Sequence, residues 1–215
     1  MVIFDCDGVL VDSEPIGHLV LVRMLAAEGL EMTVEEARLE YQGLLLSEVA
    51  DKVGASLGRP LAPGWMDGYE RERAVAFRAQ LQAVPGAEAA VRAVGEAGVA
   101  VCVASQGSLA KTGLSLALTG LDEFFPAAHR FSAHDMERGK PHPDLFLQAA
   151  ATMGAEPSRC AVIEDTTIGV CAAVSAGMRA IGYAAETDAA SLRAAGAEPV
   201  ASLGELPALL GLSGA

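Results

Sequence analysis

Two carboxylates one residue apart, Asp5 and Asp7, follow a short apolar run at the start of the chain and come directly before Gly8, where the backbone can turn. Like charges that share one buried site raise each other's pKa and destabilise the fold, unless a cation lies between them. The pattern therefore indicates a metal ion or a catalytic acid/base pair. An acidic turn that only caps the following helix is the alternative, and this stretch alone leaves both interpretations open.

A second acidic pair, Glu164 and Asp165, follows the apolar run 161–163, which we predict to be a strand. A helix cap formed by Asp165 or Thr166 would explain this pair by itself. Two acidic pairs at the ends of two buried strands, however, together form the oxygen-rich environment that Mg²⁺ prefers.

Two further polar groups have the placement of phosphate-binding residues. Ser105 and Gln106 follow the predicted strand 99–104 and open a helix, so a hydroxyl and backbone N–H groups point to where a helix N-terminus would stabilise a phosphate. Lys140 lies in a proline-containing loop with a restricted backbone, where it can balance the charge of the carboxylates and of a phosphoryl group. Taken one at a time, a serine helix cap and an exposed loop lysine are the simpler interpretations.

The elements that must position these residues alternate between helices and short β-branched runs from residue 83 onward. Strands separated by helices are typical of an α/β fold, a parallel sheet with helices on both faces. Ligands bind to such sheets beyond the carboxyl ends of the strands, where the polar residues named above are expected to lie. We predict strands over 1–4, 99–104, 128–132, 161–163 and 180–183, followed by a helical tail.

Residues 15–82 have the pattern of helices only, without a strand signal. The sequence thus predicts an α/β core of residues 1–14 and 83–215, with an all-helical module inserted after the first strand. The first helix of the module is apolar nearly all round, so we expect it to be largely buried. Thr33 and Glu36 have the spacing of a capping box. The module's helices are predicted over about 15–29, 33–43, 47–57 and 65–81.

The amino-acid composition of the chain limits which partners and which cellular compartment we expect. The chain carries 28 acidic and 15 basic residues, a formal net charge of −13, which argues against nucleic acid and membranes as partners. No apolar run is long enough to cross a bilayer, and Asp5 and Asp7 interrupt the N-terminal run too early for a signal peptide. Widely separated cysteines without a C-x-x-C pair are typical of reduced thiols in a cytoplasmic protein. Because 1–4 is short for a central strand, the sequence leaves open whether the native N-terminus lies upstream of Met1.

In their order and spacing, these groups of residues resemble the four motifs of the haloacid dehalogenase-like (HAD) hydrolase superfamily. More narrowly, the chain resembles the phosphatase branch with a small helical cap after the first motif, which also holds β-phosphoglucomutase and sugar-phosphate and 6-phosphogluconate phosphatases. The resemblance covers nearly the whole chain and implies a Rossmann-like core with an inserted cap. The matching segments are Asp5-Cys6-Asp7-Gly8-Val9-Leu10-Val11-Asp12-Ser13-Glu14, Ser105, Lys140-Pro141, and Glu164-Asp165 with Gly169.

The resemblance implies a Mg²⁺-dependent phosphatase that acts on a small phosphorylated metabolite through an aspartyl-phosphate intermediate. Asp5 would be the nucleophile. Asp7 would be the general acid that protonates the leaving group and then the base that activates water. Mg²⁺ would be held by Asp5, by the backbone carbonyl of Asp7 and by Asp165, with Glu164 as a direct ligand or as a support for the ligands.

The resemblance also implies a set of substrate-binding residues. Beside Asp5 and Gly8, the phosphoryl oxygens would be held by Ser105 and by the N–H of Gln106, and Lys140 would neutralise their charge.

Substrate specificity is expected from the cap loop that contains Gln42, Gly43 and Leu44. Lys111 is a further candidate contact to the substrate, although a solvated helix lysine is the simpler interpretation.

Asp7 distinguishes between the branches of the family that the chain resembles. Dehalogenases and phosphonatases lack an acid at this position, so Asp7 favours phosphomonoester hydrolysis. In β-phosphoglucomutases, an arginine after the second cap helix binds the far phosphate of a bisphosphate, whereas the matching stretch 42–47 has none. We therefore favour a phosphatase and keep a phosphomutase as the alternative.

Two other classes of protein share parts of this pattern. A receiver-type phospho-acceptor also uses Mg²⁺, an aspartyl-phosphate and a lysine, but its acceptor lies on a middle strand and it has no inserted helical module. A catalytically silent binding protein is the weaker alternative, because no catalytic position is visibly lost. A cap that opens and closes over the site favours a monomer, or a dimer that leaves the site free.

Overall fold

A computed structural model describes residues 1–42 and 44–212 of the chain. The chain divides into two compact units. One unit is made of Met1–Asp12 together with Gln82–Ala215, and the other is Ser13–Leu81. That the second unit acts as a cap over a substrate stays a prediction.

The Ser13–Leu81 unit is helical. Thr33 and Glu36 form the predicted capping box, because the Thr33 side chain accepts a hydrogen bond from the Glu36 N–H and the Glu36 carboxylate accepts one from the Thr33 N–H. Hydrophobic side chains from all of its helices form one core, to which Leu25 and Trp65 belong. The helices are α1 (Glu14–Glu28), α2 (Val34–Tyr41), α3 (Leu46–Leu57) and α4 (Trp65–Gln80).

The prediction that α1 is largely buried is wrong for part of its surface. Val20, Leu21 and Leu25 are buried, but the Leu19 side chain is 57% exposed. α2 and α4 pack against α1 and cover one side of it, and an apolar residue on the remaining side stays in solvent.

The other unit is built on a six-stranded sheet in the order β3-β2-β1-β4-β5-β6, in which all neighbours pair in parallel. Phe4 at the end of β1 lies between Val103 of β2 and Ile163 of β4, so the carboxyl ends of these three strands are adjacent. The predicted α/β fold with a parallel sheet is confirmed. The strands are β1 (Val2–Phe4), β2 (Val101–Ser105), β3 (Arg130–Ser132), β4 (Ala161–Glu164), β5 (Arg179–Tyr183) and β6 (Glu198–Val200).

Helices flank these strands, and several of them begin at a side-chain cap. The Ser108 and Thr166 side chains, for example, accept hydrogen bonds from the third N–H group of the helices that they cap. The helices are α5 (Ala87–Glu96), α6 (Leu109–Thr119), α7 (Asp144–Thr152), α8 (Thr167–Ser175), α9 (Ala189–Ala195) and α10 (Leu206–Leu209). Over the described residues, none of the helices has the length and apolar character needed to cross a membrane.

The prediction of a purely helical tail is wrong, because Glu198–Val200 forms β6. This run is three residues long and contains Pro199, so it has no strand periodicity of its own. It becomes a strand by pairing with Ile181–Tyr183 of β5. Its place at the edge of the sheet tolerates a proline, since one side of an edge strand needs no partner.

Candidate active site

The adjacent ends of β1, β2 and β4 bring the predicted site residues together. Asp5 follows β1 directly, and its N–H donates a hydrogen bond of 2.9 Å to the carbonyl oxygen of Ile163 in β4. Asp5, Ser105, Glu164 and Asp165 are all buried, although carboxylates and hydroxyls are usually found in solvent. Buried charges require compensation, and Lys140 supplies it for Asp5 and Glu164.

Lys140 is the cation at the centre of this cluster. Its ammonium lies 2.6 Å from Oδ1 of Asp5, 2.5 Å from Oε1 of Glu164 and 3.3 Å from the carbonyl oxygen of Ala104. Burial would lower the pKa of Lys140, but the two carboxylates outweigh this effect and raise its pKa above the usual value. Lys140 therefore stays charged and joins β1, β2 and β4 at their carboxyl ends.

Glu164 is held by hydrogen bonds to both of its carboxylate oxygens. Its Oε1 accepts from Lys140, and its Oε2 accepts from the N–H of Asp165, the N–H of Thr166 and the Thr166 hydroxyl at 3.0 to 3.2 Å. Burial raises the pKa of Glu164, and the Lys140 ammonium opposes this. A Cβ at Gly169 would run into the Glu164 carboxylate, so this glycine is what lets α8 approach it.

Asp7 is held by a different pair of residues. Its Oδ1 forms an ion pair with the ammonium of Lys111, and its Oδ2 accepts a hydrogen bond of 3.4 Å from the Ser105 hydroxyl. The Asp7 side chain is 20% exposed, whereas that of Lys111 is 6% exposed. The interpretation of Lys111 as a solvated helix lysine is therefore wrong. The absence of a side chain at Gly107 leaves room for the Lys111 stem to turn inward, because a Cβ there would lie 3.0 Å from Cδ of Lys111.

Two contacts were not predicted. The Gln106 side chain accepts a hydrogen bond of 3.2 Å from the Lys140 N–H, so it holds the lysine loop through its amide as well as offering a backbone N–H. Ser132, at the end of β3, donates a hydrogen bond of 2.8 Å to the carbonyl oxygen of Gly107. A polar residue at the end of a third strand is the same signal that identified Ser105 and Glu164, and it would have indicated Ser132.

Cys6 lies between the two aspartates but has the surroundings of a packing residue. It is fully buried, and burial raises the pKa of its thiol to about 11. A thiol in this state is a poor nucleophile at neutral pH.

The site offers a set of oxygen ligands for a divalent cation. Three residues, Asp5, Glu164 and Asp165, each contribute one carboxylate oxygen, and these oxygens lie within 4.8 Å of one another. An all-oxygen donor set of this kind fits Mg²⁺ better than softer metals. Gly8 borders this set, because a Cβ at Gly8 would run into the Asp165 carboxylate.

We expect Gly8→Ala to lower the free energy of unfolding more than Gly120→Ala does. Both glycines are in the left-handed region, with φ of +75° and +72°, so both substitutions carry a similar backbone cost of about 1–2 kcal/mol. Only at Gly8 does the added methyl group meet Asp165, whereas at Gly120 no described atom lies within 4 Å. The overlap should cost a further ~1–3 kcal/mol in urea unfolding. Equal losses in the two variants would contradict this packing.

The predicted specificity residues belong to the helical unit. Gln42 and Leu44 are half-buried, and Gly43 lies outside the described residues. Arg38, one turn before Gln42 in α2, donates to the Gln42 side-chain oxygen at 3.4 Å. The same guanidinium donates to both oxygens of Glu35, at 2.9 and 2.7 Å. A role for Gln42 and Leu44 in specificity stays a prediction.

Comparisons with known proteins agree with this geometry. The family model "haloacid dehalogenase-like hydrolase" matches residues 1–177. The 6-phosphogluconate phosphatase of Escherichia coli K12 is 33% identical over 186 residues, which cover 86% of this chain and 82% of that protein. A HAD family hydrolase from Deinococcus radiodurans R1, solved with bound phosphate and sodium, has a TM-score of 0.77 at 32% identity. The aligned region covers 98% of this chain and 94% of that chain. A protein from Thermotoga maritima described as a putative β-phosphoglucomutase has a TM-score of 0.78 at 25% identity, with coverage of 99% and 98%.

The family model and the relatives identify this parallel α/β sheet with acidic strand ends as the core of a hydrolase. The chain belongs to the haloacid dehalogenase-like hydrolases, as its motifs predicted. The prediction that it is an enzyme of the phosphomonoester hydrolase class is also confirmed.

Proposed function

We propose that the chain is a Mg²⁺-dependent phosphatase that hydrolyses a small phosphorylated metabolite, a sugar phosphate or a similar phosphomonoester, through an aspartyl-phosphate on Asp5. The observation that carries the proposal is the Lys140 ammonium 2.6 Å from the Asp5 carboxylate, beside the cluster with Glu164 and Asp165. A carboxylate is a nucleophile toward a phosphate dianion only where positive charge offsets the repulsion.

In the first step, a carboxylate oxygen of Asp5 attacks phosphorus in line with the ester bond. The P–O ester bond breaks, its electron pair stays on the alcohol oxygen, and Asp7 gives that oxygen its proton. In the second step, water attacks the phosphorus of the aspartyl-phosphate and gives a proton to Asp7. The bond between phosphorus and the Asp5 oxygen breaks, and its electron pair returns to Asp5 as a carboxylate. Inorganic phosphate leaves with the oxygen of the water.

The site residues divide the remaining tasks. Asp5, Asp165 and the backbone carbonyl of Asp7 would hold Mg²⁺, which when bound supplies positive charge beside the phosphoryl group. Glu164 supports this set, since both of its oxygens already accept hydrogen bonds from the protein. The phosphoryl oxygens are bound by the Ser105 hydroxyl, by the backbone N–H of Gln106 and by Lys140, and Gly8 lies beside them.

A sugar phosphate is the substrate class that the relatives favour, because one of them is named as a 6-phosphogluconate phosphatase. In this proposal the helical unit covers the substrate as a cap, and Gln42, Gly43 and Leu44 contribute to specificity. The likeness to a putative β-phosphoglucomutase keeps a phosphomutase as the alternative. One contact argues against that alternative. The arginine beside Gln42 is Arg38, and its guanidinium is paired with the Glu35 carboxylate instead of being held for a second phosphate.

The test is release of inorganic phosphate from a panel of sugar phosphates, with p-nitrophenyl phosphate as a general probe. We expect activity with Mg²⁺, loss to background in EDTA and recovery when Mg²⁺ is added back. Activity that persists in EDTA would contradict the metal dependence. Conversion of β-glucose 1-phosphate to the 6-phosphate, primed by the bisphosphate and faster than phosphate release, would establish the mutase instead.

A further inference from the structure

Lys111 is a buried cation that the mechanism above does not use. It lies in the first turn of α6, only 7% of its surface is exposed, and its stem passes beside Gly107. A buried ammonium group is costly unless a carboxylate compensates it. Its ion pair with Oδ1 of Asp7 provides that compensation, and it links α6 to the turn after β1.

Each of the two buried lysines forms an ion pair with a different one of the two aspartates. Lys140 binds Asp5 and Glu164, while Lys111 binds Asp7. The second oxygen of Asp7 accepts from the Ser105 hydroxyl, which in turn accepts from the N–H of Gly107. Both oxygens of the Asp7 carboxylate are therefore held, and its side chain has a defined orientation.

We propose that Lys111 is a positioning residue: by holding Oδ1 of Asp7 it orients the carboxyl group so that Oδ2 exchanges the proton with the leaving alcohol, while the Ser105 hydroxyl turns to the phosphoryl group. This inference rests on the proposed function, because it assumes that Asp7 is the proton donor. The competing role for Lys111 is a direct contact to the transferred phosphoryl group.

The two roles differ in how they depend on the leaving group. An alkoxide leaves phosphorus slowly unless it is protonated, so cleavage of an alkyl phosphate depends on a well-placed Asp7. p-Nitrophenolate is a stable anion and leaves without a proton. The second step is the same for both esters, so the difference appears in kcat/KM, which reports formation of the aspartyl-phosphate. In kcat/KM, a residue that acts through Asp7 matters for alkyl esters and little for p-nitrophenyl phosphate, whereas a residue that binds the phosphoryl group matters equally for both.

The experiment compares Lys111→Met with the wild type on benzyl phosphate and p-nitrophenyl phosphate, two probes of similar size. We expect kcat/KM to fall by on the order of 10²-fold for benzyl phosphate and by less than about threefold for p-nitrophenyl phosphate. Retained p-nitrophenyl phosphatase activity also shows that the variant is folded. Adding Lys111→Met to Asp7→Asn should cause little further loss on benzyl phosphate, since residues that act as a unit are not additive.

A second variant covers the case in which Lys111→Met does not fold. Gly107→Ala places a methyl group 3.0 Å from Cδ of Lys111 without removing its charge, and we expect a smaller loss with the same preference for benzyl phosphate. Equal losses on both probes in the folded variants, or independent effects in the double variant, would overturn the proposal. A wild-type enzyme that releases phosphate neither from these two probes nor from the panel of sugar phosphates would instead contradict the proposed phosphatase function.

Discussion

Replacing Asp5 by asparagine is expected to abolish phosphate release, with kcat/KM lowered by a factor on the order of 10⁴ or more. The amide keeps the shape of the carboxylate, but it is not a nucleophile and does not attract the Lys140 ammonium as a charge. Without attack by Asp5 the aspartyl-phosphate cannot form, and the remaining groups bind substrate without transferring it. Steady-state release of inorganic phosphate with Mg²⁺ measures the effect.

Asp122→Asn is the matched control, because Asp122 is an exposed aspartate in the same unit. It should retain wild-type activity. Wild-type enzyme that is denatured during turnover should carry one phosphoryl group on the peptide that contains Asp5, and the Asp5→Asn variant should carry none. Turnover by Asp5→Asn at more than a small fraction of the wild-type rate would show that another group attacks phosphorus.

Replacing Lys140 by methionine is expected to lower the free energy of unfolding by about 3–5 kcal/mol, as well as to remove activity. Its side chain is 4% exposed, and its ammonium compensates the buried carboxylates of Asp5 and Glu164. Removing one partner of a buried ion pair leaves uncompensated charge in a poorly solvated site. Urea unfolding in the absence of Mg²⁺ measures the loss directly.

Lys52→Met is the control for the stability measurement, because the Lys52 side chain is 48% exposed. It should change the free energy of unfolding by less than about 1 kcal/mol. In the Lys140→Met background, Glu164→Gln should restore part of the lost stability by removing one of the uncompensated charges. A Lys140→Met variant as stable as Lys52→Met would mean that the carboxylates do not depend on this lysine.

Local patterns were sufficient for most of the fold and for the position in it of the principal candidate residues. Apolar runs followed directly by Asp5, Ser105 and Glu164 predicted strand ends, and the parallel order of the strands then placed these residues at one edge. The capping box at Thr33 and Glu36 was predicted for the same reason, since it depends on residues three apart.

The sequence by itself therefore determined the α/β class, the acidic strand ends and Lys140, because each is encoded in a short stretch of chain. Only the tertiary structure decided that Lys111 turns inward to Asp7, that Glu164 is held on both oxygens, and that Glu198–Val200 is a strand. These features depend on contacts between segments far apart in the chain, and neither periodicity nor local spacing records such contacts. The tertiary structure also shows that Asp5 and Asp7 each form an ion pair with a different lysine, which the sequence could not show.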